Sequence, residues 1–405
     1  MTTETAIARP SVRPDAPPSL PHGTTLLFAA AAGASVANVY YAQPLLDALA
    51  RAFSIPAGAV GGVVTATQAG CALALLLVVP LGDLLERRRL MVAQALLLAA
   101  ALVTAGLAAS MPMLLGAMVL IGLLGTAMTQ GLIAYAAGAA ADHERGRVVG
   151  AAQSGVFIGL LLARVLAGGV SDVAGWRSVY FCSAGAMLAL TLLLWRRLPR
   201  QASGGGRIPY GSLIASMFTL LRRDRVLQVR GGLALLMFAA LNIFWSALVL
   251  PLSAPPYGLS HTAIGAFGLA GAAGALAATW AGTLVDRGRA DLASAVALLV
   301  LVAAWLPLAC MDVSLWALVV GIVLLDLGGQ AIHVTNQGMI FRASSGAHSR
   351  LVAGYMLFYA VGSGLGAMAA TAVYAAAGWD GVCVLGACVS ALALAFWAAT
   401  RRYAM

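Results

Sequence analysis

The feature that most constrains this chain is the recurrence of long apolar runs. Stretches with few charges occur near 24–50, 57–82, 89–110, 112–140, 147–172 and 176–195, then near 228–252, 260–285, 291–311, 313–341, 350–374 and 379–399. An α-helix rises about 1.5 Å per residue, so roughly 20 such residues cross the hydrocarbon core of a bilayer. A helix also satisfies its own backbone polar groups there. The pattern predicts an all-α membrane protein with twelve transmembrane helices. Composition points the same way: 61% of the residues are apolar and 9% charged, whereas a soluble domain carries about a quarter charged residues. Water-soluble, collagen-like, disordered and disulfide-scaffold classes are excluded.

The formal charge of +10 does not mark a nucleic-acid binder. All 24 basic residues are arginine, and they cluster between the apolar runs, which is a topology signal. With the N-terminus inside, 21 arginines fall in the tails and inner loops, Arg51 and Arg177 fall outside, and Arg164 falls within a span. Both termini are therefore expected in the cytoplasm, for a multi-pass membrane protein. Losing one span from the count would scatter the later clusters onto both sides. Residues 1–23 hold prolines and two arginines without a signal-like apolar core, and they read as a cytoplasmic tail. Residues 196–227, with Ser203-Gly204-Gly205-Gly206 and an amphipathic stretch through Ile214, Met217, Phe218 and Leu221, read as a cytoplasmic linker between bundles at 24–195 and 228–399. Residues 400–405 form the other tail.

The two bundles are internal copies. Gly82-Asp83-Leu84-Leu85-Glu86-Arg87 is matched by Gly282-Thr283-Leu284-Val285-Asp286-Arg287, Thr129-Gln130-Gly131 by Asn336-Gln337-Gly338, Gly146-Arg147 by Ser349-Arg350, and Gly175-Trp176 by Gly378-Trp379. Four ordered matches at offsets of 200 to 207 imply duplication of a six-helix unit. Two such bundles about an axis along the membrane normal leave a cavity near the midplane.

The run after the second span and its copy after the eighth resemble the signature of the major facilitator superfamily, and the resemblance covers essentially the whole chain. Asn38-Val39-Tyr40-Tyr41-Ala42-Gln43-Pro44, Arg145-Gly146-Arg147-Val148-Val149-Gly150 and Gln330-Ala331-Ile332-His333-Val334-Thr335-Asn336-Gln337 are similar to the bacterial sugar-efflux and drug:proton antiporter group. The resemblance implies a secondary transporter of a bacterial inner membrane, expected as a monomer in lipid, moving a small organic solute by proton-coupled efflux with no cofactor; uptake of a small metabolite and a non-transporting receptor or scaffold are the alternatives. It also implies a cytoplasmic gate of Gly82, Asp83, Glu86, Arg87, Gly282, Asp286 and Arg287, whose carboxylates latch a helix N-terminus of the opposite bundle. The chain departs from the family pattern at Arg88 and Arg89, at Ala127, and at Leu160, which stands where the antiporter motif has proline.

Intramembrane charges mark the functional candidates, because a carboxylate in mid-span costs about 2.5 to 3.5 kcal/mol on insertion scales. Asp326 lies in the tenth span, and Gln330, His333 and Gln337 follow on the same helix face. Arg164 lies in the fifth span, with Gln153 on its face, and needs a partner such as Asp47 or Asp326. These give Asp326, His333, Arg164 and Asp47 as proton-coupling candidates. Asn38, Tyr40, Tyr41 and Gln43 of the first span, where Pro44 should kink the helix, are expected to line the cavity. Gln130, Asn242, Trp245, Asn336, Tyr355 and Tyr359 join them. The five cysteines sit singly in apolar segments and read as small buried hydrophobes. No His-Glu-x-x-His, no Gly-x-Ser-x-Gly and no Walker lysine occurs. Neither an enzyme nor a nucleotide-driven pump is expected, and no metal site.

Overall fold

The computed structural model describes residues 21–141, 144–198, 209–343 and 348–401. The expected tail before residue 21, the glycines of the linker, the last four residues and the Asp83 side chain lie outside the described residues. Among the described residues, eleven helical stretches are long and apolar enough to cross a membrane: His22–Phe53, Ala57–Gly82, Arg87–Gly106, Met111–Ala139, Arg145–Ala174, Trp176–Arg197, Arg225–Leu252, His261–Asp286, Ala290–Ala309, Leu315–Ile340 and Arg350–Thr400. The last has 51 residues and holds two crossings, because Gly378 interrupts it at φ 62° and ψ −158°. Spans 1 to 12 are therefore numbered in this order. Gly175 between spans 5 and 6 also has positive φ, at 82°. It is the repeat partner of Gly378, and both turns use a conformation that costs glycine least. Their following tryptophans, Trp176 and Trp379, are both buried.

Each half packs through close backbone approaches at glycine. A Cβ on Gly159 would stand 2.2 Å from the Gly33 carbonyl oxygen, joining spans 5 and 1. One on Gly362 would stand 2.1 Å from the Leu235 carbonyl oxygen, joining spans 11 and 7. Without a hydrophobic drive between helices in lipid, such small-residue crossings supply the contact area. Outward-facing leucines such as Leu97, Leu166 and Leu306 form the apolar exterior.

Spans 1, 2 and 8 contain 3₁₀ or π turns. Span 1 is α-helical to Tyr40, passes through a 3₁₀ turn at Gln43–Leu45 and resumes at Leu46–Phe53, because Pro44 has no N–H to donate. Span 2 carries a π segment at Ala74–Val78 followed by a 3₁₀ segment at Val79–Asp83 containing Pro80. Span 8 is 3₁₀ over Phe267–Ala273, between α segments His261–Ala266 and Gly274–Asp286, in a run rich in glycine, which favours the α-helix weakly. The linker holds a helix at Tyr210–Arg223, and the Tyr210 hydroxyl donates to the Leu77 carbonyl at 2.6 Å.

Two expectations need correction. Cys71 and Cys383 are buried, but Cys182, Cys310 and Cys388 are exposed on the apolar exterior. Arg230, grouped by sequence with the loop arginines, lies inside span 7 with 0% exposure. Its Nη1 donates to Ser294 at 3.0 Å, and its Nη2 stands 4.0 Å from Asp291.

Candidate functional site

Between the two halves lies a cavity of about 450 Å³, nearer the arginine-rich helix ends. Spans 1, 4, 5, 10 and 11 contribute Tyr40, Gln130, Gln153, Gln330, His333, Gln337 and Tyr359 to its wall, and Phe157, Leu160 and Phe238 supply apolar surface. Gln330, His333 and Gln337 of the span 10 stripe thus face this space, while Asp326 lines the smaller pocket adjoining it. Phe238 meets the Tyr359 ring edge-on at 4.4 Å and the His333 ring edge-on at 5.4 Å. Amides that both donate and accept, set among aromatic faces, suit an amphipathic organic molecule.

The cavity floor is a smaller pocket shared by both halves, and the break at Pro44 builds it. Gln43 emerges from the 3₁₀ turn, buried, and its Oε1 accepts from Arg164 Nε at 3.1 Å. Its Nε2 donates to Asn242 Oδ1 at 3.1 Å, and Asn242 Nδ2 donates to Ser363 Oγ at 2.9 Å. The Gln43 amide therefore ties span 5 to span 7 of the other half, and the Asn242 amide continues the chain to span 11. The Tyr40 and Tyr359 hydroxyls are hydrogen-bonded beside it, again across the halves. The Arg164 guanidinium lies 4.0 Å from the Trp245 ring centroid and 5.6 Å from that of Tyr40. In a desolvated site such cation–π contact is worth about 2 kcal/mol.

Sequence alone left the partner of Arg164 open between Asp47 and Asp326, and neither carboxylate comes within 4.0 Å of it among the described residues. Asp47 is engaged elsewhere, by Arg51 and His261. Asp326 shares the floor with Arg164 and Trp245. It is seated against span 8, where a Cβ on Gly271 would stand 2.3 Å from Asp326 Oδ2. Gly265, Gly268, Gly271 and Gly274 recur every third residue, and side chains three apart align where three residues make a turn. The row forms a groove. A Cβ would meet the Arg164 carbonyl oxygen at 2.3 Å from Gly265, Arg164 Cδ at 3.2 Å from Gly268 and Gln330 Cγ at 2.8 Å from Gly274. This spacing is visible in the sequence and was the missed signal for how both buried charges find room.

Four candidates lie off the cavity. Asn38 accepts from Ser183 of span 6 at 2.6 Å, and Tyr41 packs on the same side, so both face the interior of the first half. Asn336 is wholly buried within the second half. Tyr355 sits behind the wall with its hydroxyl 3.0 Å from His333 Nδ1, and it holds that ring in place.

At the arginine-poor end the halves close on each other. Spans 5 and 8 cross at Gly168 and Gly265: a Cβ on Gly168 would stand 2.2 Å from the His261 carbonyl oxygen. Spans 2 and 11 cross in the same manner, with a Cβ on Gly61 2.4 Å from the Ala367 carbonyl oxygen. Ala367 follows Arg164 by 203 positions, so the two seams are repeat mates. Asp172 of span 5 reaches across the first seam. It accepts from the His261 and Thr262 backbone N–H groups at 3.1 and 2.8 Å and from the Thr262 hydroxyl at 2.6 Å.

A carboxylate capping a helix of the opposite half was expected at the arginine-rich end, from Asp83, Glu86 and Asp286. There, Glu86 pairs with Arg89 at 3.0 Å, and Asp286 is mostly exposed, 3.7 Å from Arg342 of its own half. Arg87 donates to the Gly82 and Ala134 carbonyls within the first half. Among the described residues, the interhelix cap between halves is the one that Asp172 makes at the arginine-poor end.

Residues 26–309 and again 231–404 match the Major Facilitator Superfamily. The chain belongs to that superfamily. It is 40% identical over 372 residues to the uncharacterized transporter YgaY of Escherichia coli O157:H7, covering 92% of this chain and 94% of that one. Its fold is similar to a bacterial homologue of the human lysosomal transporter Spinster, in an inward-facing, unoccupied conformation, with a TM-score of 0.75 at 15% identity over 94% of this chain and 97% of that one. The nucleoside transporter NupG, solved as a mutant, superposes with a TM-score of 0.68 at 13% identity, over 93% and 98%. This superfamily member is a multi-pass membrane transporter and not an enzyme.

Proposed function

We propose that this transporter exports a small, largely uncharged amphipathic solute from a bacterial cytoplasm in exchange for protons, working as a monomer with both termini cytoplasmic. The observation that carries the reading is the cavity itself: amides and aromatic rings line its wall, and a buried Arg164 and Asp326 share its floor without pairing directly. The wall suits binding of a neutral amphipath. The floor supplies a carboxylate that can hold a proton in one state of the cycle and yield it in another. The bias of 21 arginines to 2 favours the orientation, which makes the closed, arginine-poor end periplasmic and this conformation inward-facing. The Spinster homologue's inward-facing likeness supports the same assignment.

The test is flux in proteoliposomes with an imposed pH gradient, screening metabolites and cationic drugs. With a substrate in hand, Asp326→Asn should keep binding and exchange, since the amide mimics the protonated acid, but lose accumulation against a gradient. Proton-driven accumulation by that variant at the wild-type rate removes Asp326 from coupling. Accumulation in the opposite direction to the one proposed makes the protein an importer.

A further inference from the structure

His261 opens span 8 at the arginine-poor end, and the surroundings of its ring are unusual. Nε2 lies 2.9 Å from Asp47 Oδ1 on span 1, and Nδ1 lies 3.0 Å from Asp172 Oδ1 on span 5. The ring belongs to the second half and both carboxylates to the first. A neutral imidazole has one N–H and one bare lone pair, and an ionised carboxylate only accepts. One of these two contacts would then set lone pair against lone pair. The arrangement therefore needs one proton beyond a neutral ring and two ionised carboxylates, whichever of the three groups formally carries it.

The remaining groups around the ring leave that count unchanged. Asp47 Oδ2 accepts from Arg51 at 2.8 Å, and the rest of Asp172 is taken up by the Thr262 hydroxyl and two backbone N–H groups. Span 7 meets this region through Val249–Leu252, which carries no titratable side chain. The repeat provides a comparison within the molecule. Gly58 and Ala375 stand 203 positions before His261 and after Asp172, and they are in contact across the other seam, where a Cβ on Gly58 would lie 3.2 Å from that of Ala375. That seam is held by hydroxyl and backbone groups, Thr371 bonding Gly58 and Gly61 and Thr65 bonding Gly364, whereas the His261 seam brings an imidazole between two carboxylates.

We propose that Asp47, Asp172 and His261 form a proton-binding latch, distinct from the cavity floor, in which uptake of one proton closes the arginine-poor seam and its release opens it. The proton enters and leaves on that same side, so the latch sets the balance between conformations without carrying charge across the membrane. Acid on that side favours the closed seam. In the proposed orientation, on which the naming of sides rests, periplasmic acidification returns the transporter to its inward-facing state.

The experiment measures the seam directly. Spin labels at Leu107→Cys and Val313→Cys, one on each half at the arginine-poor end, in a background with the five native cysteines replaced, report the separation of the halves in lipid nanodiscs between pH 5 and 8. The closed population should fall with rising pH, by up to about tenfold per pH unit for one linked proton. His261→Gln should flatten that dependence, and Asp172→Asn should weaken it; elution as a single species and an unchanged melting temperature exclude misfolding as the cause. A separation that does not vary with pH in the wild type, or a dependence that survives in His261→Gln, overturns the latch. A pH-dependent seam in a protein whose flux ignores the pH gradient keeps the latch and removes proton-coupled transport; the reverse pair of results keeps transport and removes the latch.

Discussion

A methyl group added at Gly168 should open the arginine-poor seam while leaving the fold intact. The new Cβ would stand 2.2 Å from the His261 carbonyl oxygen, 2.4 Å from its carbon and 2.7 Å from the Thr262 nitrogen, all backbone atoms with no rotamer to yield. Restoring ordinary contact requires spans 5 and 8 to part by about 1 Å. That movement carries the 2.9 and 3.0 Å bonds of His261 to roughly 4 Å, beyond hydrogen-bonding range. Overpacking of this kind costs about 1 to 3 kcal/mol. Because the contact joins the two halves, the cost falls on the closed conformation alone and should shift the closed-to-open ratio about 5- to 150-fold. Gly362→Ala is the matched control: its Cβ would stand 2.1 Å from the Leu235 carbonyl oxygen, inside the second half, so it penalises both conformations alike. The spin-label separation between residues 107 and 313 should lengthen in Gly168→Ala and stay unchanged in Gly362→Ala, whereas the melting temperature should fall chiefly in the second variant. If Gly168→Ala lowers the melting temperature as Gly362→Ala does and leaves the separation as in wild type, the seam is not a contact that opens.

Gly61→Ala should act in the same direction through the other seam, since its Cβ would stand 2.4 Å from the Ala367 carbonyl oxygen; the same label pair reads it. Gln43→Leu leaves Arg164 Nε and Asn242 Oδ1 without their partner, a loss of about 1 to 3 kcal/mol for a buried group, and flux should fall sharply while the protein still elutes as wild type does; wild-type flux would count against the floor network. Gly271→Ala must displace the Asp326 carboxylate and should reduce proton-driven accumulation more than counterflow exchange, a difference absent if Asp326 plays no part in coupling. Arg230→Met replaces a buried cation whose Nε and Nη2 find no hydrogen-bond acceptor among the described residues. Its melting temperature should match or exceed wild type, because replacing a poorly paired buried charge by an apolar side chain is often neutral or stabilising; a loss of about 3 to 5 kcal/mol would mean that the Asp291 pairing is strong.

The spans, the duplication and the break at Pro44 were legible because each is written in local pattern: apolar length, repeated motifs, a missing N–H. The cavity stripe on span 10 was legible for the same reason, one regular helix carrying Asp326, Gln330, His333 and Gln337 at helical spacing. The partner of Arg164 was not, because it depends on how two halves dock, and Gln43 wins that place only after the 3₁₀ turn redirects it. Asn38 and Tyr41 share the first span with cavity residues but point to Ser183, which a face count on one helix cannot foresee without its neighbours. The loop carboxylates signalled an interhelix cap at the arginine-rich end, where the Asp83 side chain lies outside the described residues; a cap of the same kind, from Asp172, joins the halves at the opposite end. His261 stood out in no local pattern, since its carboxylates come from positions 214 and 89 residues away.

Span 8 changes winding between its latch and its floor contacts. Seven residues, Phe267–Ala273, run as 3₁₀, rising about 2.0 Å each instead of 1.5 Å and turning about 120° each instead of 100°. Rewinding that stretch to α would shorten the helix by about 3.5 Å and rotate one end against the other by about 140°. With the Gly274–Asp286 segment held fixed, the motion withdraws His261 from Asp47 and Asp172 like the thread of a screw. Such rewinding would unfasten the seam by a change of pitch in one helix, without rocking of rigid bundles, in a stretch where Gly268 and Gly271 restrict the backbone least.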